Sequence, residues 1–230
     1  MTRQATQLTR PPVTLPAVAA AFRALDNDVD RAMCRLDTQA ATAIRSYRHL
    51  AAGAEDAFRR AVAEAAAASP PVVTDQGPGT DEIFAADPPL RGWLAVLASR
   101  HRELARLDEH RSWVGVAALH YYGDELFAIE DCDGAPVTDA DRDRVAEQTV
   151  RSLRVGHNSV WFETTDDMRS RFELRGMEAE WWAAYREVDV ASSADPEQAA
   201  WCWDLAHPAW VNKHPAALHR RRSPIGEDLR

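Results

Sequence analysis

Lysine is all but missing from this 230-residue chain: of 27 basic residues only Lys213 is a lysine, the rest being arginine. Together with abundant alanine, this marks a GC-rich coding sequence, bacterial or phage in origin. Arginine content alone is therefore no signature of nucleic-acid binding. Cysteine is scarce as well. Cys34, Cys132 and Cys202 are far apart and odd in number, with no C-x-x-C pair. That excludes a disulfide framework and a cysteine-built zinc site. Long apolar runs are absent too. Nothing approaches ~18 uncharged apolar residues, and the opening stretch lacks the apolar core of a signal peptide. A cytoplasmic protein with no membrane segment is expected. Net positive charge is also lacking: the balance is -9, which argues against wholesale binding to phosphate backbones. The nucleophile elbow G-x-S-x-G, the P-loop, G-x-G-x-x-G and H-E-x-x-H do not occur, so no catalytic motif is on display.

What is present is ordinary globular material, 46% hydrophobic and 27% charged, enough to bury a core. Residues 1–13 read as a flexible leader. Thr14 followed by Pro16 starts a helix, because proline is pre-organised for the first turn. From there Val18, Phe22, Leu25, Val29, Met33, Leu36, Ala40, Ala43, Tyr47, Leu50, Ala54 and Ala57 recur at steps of three and four. This predicts one long amphipathic helix over 14–67, roughly 75 Å for its ~50 periodic residues at ~1.5 Å each. Gly53 offers a place to fold it into a hairpin. Residues 68–89 are punctuated by proline and glycine and read as a linker or surface loop. A helical body is expected over 90–220, beginning with Leu90, Leu94, Leu97, His101 and Leu104 on one face, and a tail over 221–230.

Inside that body two segments read as strands. Trp113-Val114-Gly115-Val116 and Leu126-Phe127-Ala128-Ile129 flank Gly123-Asp124 like a β-hairpin, although helical spacing fits about as well. Ser159 to Glu163 reads as a short strand. Thr138-Asp139-Ala140-Asp141 caps a helix between these segments, running to about Leu153. Asp166 opens another helix and Asp195-Pro196-Glu197 a last pair. The fold class is mostly α, with a small β-hairpin or sheet making α+β the variant.

Three constellations suggest function. Asp204, His207 and His214, with His219 nearby, offer the carboxylate and imidazoles that zinc or iron takes, and Glu163 or Glu178 could complete such a site. No cofactor is otherwise expected. Asp131-Cys132-Asp133-Gly134 fails the spacing of a calcium loop and reads as a turn. Six of the eight tryptophans lie between residues 161 and 210. Trp181 and Trp182 diverge by about 100° on a helix and cannot both enter one seam. Indole area of this kind suits partner docking. Lys213 with Arg220, Arg221 and Arg222 forms a small basic end on an acidic chain, a nucleic-acid contact of the phosphate-gripping type.

The leading expectation is a non-catalytic interaction or assembly protein. It would dock on itself or on a larger assembly through Phe22, Leu25, Val29, Met33 and Leu36 of the first helix and through Trp182, Trp201, Trp203 and Trp210. The rivals are a metal-dependent enzyme using Asp204, His207 and His214, and an accessory factor of a DNA-acting machine using the basic end. The argument for assembly is geometric: a stripe fifty residues long exceeds what a small body can hide.

Overall fold

The computed structural model describes residues 14–48, 55–67, 77–133, 136–192 and 195–206. Among them are eight helices and no strand. No helix among the described residues is long and apolar enough to cross a membrane.

Helix α1, Leu15–Tyr47, carries proline in its first turn and buries Val18, Phe22, Leu25, Val29, Ala32, Leu36, Ala40, Ile44 and Tyr47. The seam departs from the predicted one after Val29. Ala32 and Ile44 are inside, whereas Met33 and Ala43 are only half-buried. A straight helix at 3.6 residues per turn drifts off a strict seven-residue repeat, and the burying neighbours follow that drift.

The periodic stretch is helical in two pieces. Helix α2, Glu55–Ala67, lies back against α1 and, further on, against α5, Val114–Asp133. The Phe58 ring sits 5.0 Å from Tyr47 and 5.3 Å from His120. Gly115 admits Ala65 closely, since a Cβ there would stand 3.2 Å from the Ala65 methyl. Among the described residues, then, α1 and α2 are two helices in contact with one another.

Part of the expected linker is helical. Helix α3, Thr80–Ala85, buries Ile83 completely, and Phe84 meets Phe172 at 5.1 Å. Two adjacent apolar side chains with a cavity to fill outweigh the proline and glycine around them. Helix α4, Pro88–His110, follows at once, with prolines in its first turn.

The predicted hairpin is corrected. Residues 114–133 are the single helix α5, with Val114, Ala118, Leu119, Tyr122 and Leu126 buried at helical spacing. Gly123 lies inside this helix, where a Cβ would meet the Tyr47 ring at an ordinary contact distance of 3.5 Å. It reads as a turn signal locally but serves as a contact point in the fold. The strand expected at 159–163 is corrected likewise. Helix α6, Asp139–Glu173, runs unbroken, burying Val145, Thr149, Leu153, His157, Val160, Thr164, Met168 and Phe172. Thr138 and Asp141 close a capping box at its start. At its end Gly176, at φ 68, lets Met177 N–H reach back to the Phe172 carbonyl at 2.9 Å, a Schellman stop. Helices α7, Glu178–Ser192, and α8, Pro196–Ala206, are the last two among the described residues.

The pairings give the topology. Asp26 meets Arg100, Gln39 meets the Arg111 carbonyl and Tyr47 meets Tyr122, so α1 runs parallel to the α4–α5 column. Arg102 meets Asp167, Arg106 meets Glu163, and Asp37 meets Arg154, so α6 runs antiparallel to both. The core lies between these three columns. Helix α7 closes one end over α4, where Gly92 sits under Ala184 and the Trp93 indole donates to Glu187 at 3.0 Å. Helix α8 packs on α7.

The premise for assembly through α1 is corrected by this packing. Phe22, Leu25, Val29 and Leu36 are buried by the chain's own helices, and Met33 packs against the same core. The stripe that looked too long to hide is carried, among the described residues, by α1 and α2 as separate helices, and its α1 part is covered by α4, α5 and α6.

Candidate functional site

The α4–α5 column bends at Arg111–Trp113, where α4 ends on a turn and Val114 begins α5. The bend has a consequence for side chains. His110 from the end of α4, Trp113 from the turn and His157 from the middle of α6 come together there. Their ring centroids lie 4.8 Å apart for His110 and Trp113, 5.2 Å for the two histidines and 6.1 Å for Trp113 and His157. They line one side of a cleft of about 540 Å³ between α5 and α6, whose other walls include Tyr121, Glu125, Gln148, Thr149 and Ser152. That volume lies within the usual range of small-molecule sites.

His157 holds the seam position between Leu153 and Val160. Its side chain is 3% exposed, yet neither ring nitrogen bonds any described protein group. Nδ1 of His110 is in the same condition. A buried polar atom left without a partner costs about 1–3 kcal/mol, and these three nitrogens expose almost no surface. Burial, and then the neighbouring His110, push the His157 pKa down to about 4, against a weaker opposing pull from Asp37. Burial also lowers that of His110, helped by Arg106 and opposed by Glu109 and Glu163. Near neutral pH both imidazoles are uncharged, each with one N–H to donate and one lone pair to accept.

Several of the metal-ligand candidates singled out from sequence lie outside the described residues. Asp204 lies on α8, while His207, His214 and His219 fall outside the described residues. Glu163 is engaged by Arg106 at 2.6 Å, and Glu178 accepts from the Trp182 indole at 3.3 Å. No group of three or more metal-ligating side chains occurs among the described residues. Lys213, Arg220, Arg221 and Arg222 of the basic end, and Trp210, also lie outside them. Trp181 is fully buried against Phe172, and Trp182 is half-buried against Tyr185 and Trp203, the divergence that adjacent helical positions require. Trp203 is buried as well. Trp201 is 64% exposed and Leu205, one turn on, 61%.

The histidine–tryptophan cluster went unseen in the sequence. Its signal was the run Val145, Thr149, Leu153, His157, Val160, legible only when 139–173 is taken as one helix. Reading 159–163 as a strand removed His157 from any seam. Comparison of the chain with protein families, curated proteins and solved structures finds no match.

Proposed function

We propose that this chain is a small-molecule-binding helical protein whose ligand sits in the cleft at the α4–α5 bend. The observation that carries this is His157, a buried side chain in the cleft wall beside His110 and Trp113 whose two ring nitrogens bond no described protein group. Packing alone is served better by leucine, since a neutral imidazole in a seam brings two polar atoms that need partners. Trp113, 42% exposed beside it, supplies a flat face at the cleft mouth. The test is a fragment screen read by histidine-ring NMR, with saturable shifts expected at His157 and absent from the His157→Phe protein. Shifts confined to other histidines refute the reading.

A second reading, docking on a protein partner or a second copy, is favoured by Trp201 and Leu205, which share an exposed face of α8. This moves the interaction role from α1 to the tryptophan-rich end. Light scattering of the wild type against a Trp201→Ser, Leu205→Ser double variant tests it. Equal masses over a hundredfold concentration range exclude self-association through that face.

A further inference from the structure

A second cleft, of about 530 Å³, lies between α1, α2 and the start of α5 and shares no lining residue with the first. Its apolar lining is Ala43, Ala61, Ala65 and Leu119. Gly115 brings α5 close to them, since a Cβ there would stand 3.2 Å from the Ala65 methyl and 3.6 Å from that of Ala43. Thr38, Thr42 and Ser46 of α1 also line the cleft, but each hydroxyl donates to the carbonyl four residues back, at 2.8, 2.8 and 3.1 Å. Their oxygens are left as acceptors. The strong donors remaining in the lining are the guanidinium groups of Arg35 and Arg111. Arg35 is loosely held by Asp108, 3.9 Å away. Arg111 is half-buried, and its guanidinium has no ion pair or hydrogen bond with any described residue. It is not needed to close α4 either. The carbonyls of Leu107, Glu109 and His110 accept from the next turn's N–H groups at 3.2, 3.2 and 3.1 Å, and the Arg111 carbonyl accepts from Gln39 at 2.8 Å. Because α4 ends where α5 begins, their end dipoles oppose one another and the guanidinium sets the local sign. Glu64 of α2, exposed and in no ion pair among the described residues, is the one acid of the described lining. Two guanidinium groups against one carboxylate leave a single positive charge.

We infer that this cleft binds a small monoanion with an apolar body, a carboxylate that pairs with Arg111 while its carbon chain lies along the alanines of α1 and α2 and Leu119 of α5. A guanidinium takes a carboxylate through two parallel N–H···O bonds, and the pairing strengthens as bulk water is excluded. The carbon lining removes the ligand's own apolar surface from water. Each part excludes something. An anion without a body leaves that lining wet, a dianion exceeds the single charge and meets Glu64, and a cation meets two arginines.

Matched probes test this on the full chain: octanoate, octanol, octylamine and acetate, below any micelle concentration. The readout is the rate at which iodoacetamide alkylates Cys34, an exposed thiol of the lining, followed by peptide mass spectrometry with the exposed Cys202 of α8 as the control. The expected result is saturable protection of Cys34, and not of Cys202, by octanoate. Its half-protecting concentration should lie at least tenfold below that of octanol, with no protection by acetate. Arg111→Gln raises the octanoate value at least tenfold and leaves that of octanol unchanged. Thr42→Phe, which fills the cleft from an exposed position on α1, abolishes protection by both. Octanol protecting as well as octanoate, or octanoate indifferent to Arg111→Gln, overturns the proposal. Tighter protection by octylamine overturns it as well, because Glu64 would then be the partner. Equal protection of Cys34 and Cys202 marks coating of the surface, and no protection by any probe marks an unfilled cleft; either result sinks the monoanion site and leaves the α5–α6 reading untouched.

Discussion

Acid should unfold this protein partly through one side chain. His157 is held at a pKa of about 4 against an ordinary 6.5, so the folded state resists a proton that the unfolded chain accepts freely. Its folded pKa is depressed and the base is a histidine, so between those two values the unfolded state binds more protons and stability falls as pH falls. The gap is worth about 3 kcal/mol at ~1.36 kcal/mol per pH unit, with about 2 kcal/mol already lost at pH 5. Against an ordinary total of ~5–15 kcal/mol that is a large share. Facing His157 are His110 from α4, which adds to the effect, and Asp37 from α1, which reduces it. The carboxylates in the surface ion pairs also titrate below pH 5 and must be cancelled. Urea unfolding followed by tryptophan fluorescence, at intervals from pH 7 to 4, on wild type and His157→Leu does this, because both proteins share every other group. The wild type should lose about 3 kcal/mol more than the variant over that range. Parallel curves would mean that the ring escapes to solvent when protonated, and would refute the buried-imidazole argument.

Three further outcomes follow from the packing. Leu36, 1% exposed at the middle of α1, becomes a cavity on truncation to alanine. A loss of about 2–5 kcal/mol is expected, unchanged between micromolar and submillimolar protein; a concentration-dependent loss would return the stripe to an intermolecular role. Gly92→Ala places a Cβ 2.5 Å from the Ala184 methyl and 3.0 Å from the Glu180 carbonyl. Forcing α7 off α4 should cost about 1–3 kcal/mol, outweighing the ~1 kcal/mol helix preference of alanine; a stabilised variant in thermal melts would refute the close approach. Thr138→Ala removes one half of the box that starts α6 and should lower stability by about 1 kcal/mol, with faster amide exchange confined to the first turn of α6.

The sequence by itself determined the class of fold and the start of its long helices. Pro16, and Thr138 with Asp141, act through bonds and torsions within one turn, so no distant partner is needed to read them. The α1 stripe was legible for the same reason, since its period belongs to the helix and to nothing else. Tertiary structure decided the rest. Gly123-Asp124 and Val160-Trp161-Phe162 carry local signals for turn and strand, but burial at helical spacing, from Val114 to Leu126 in α5 and from Val145 to Phe172 in α6, outweighs the local preference. Whether the stripe met its own chain or another depended on α4, α5 and α6 lying alongside it, which periodicity cannot express. The His110–Trp113–His157 cluster was decided in the same way. Its members are 3 and 44 positions apart in the chain, and they meet because α4 bends into α5 where α6 passes antiparallel.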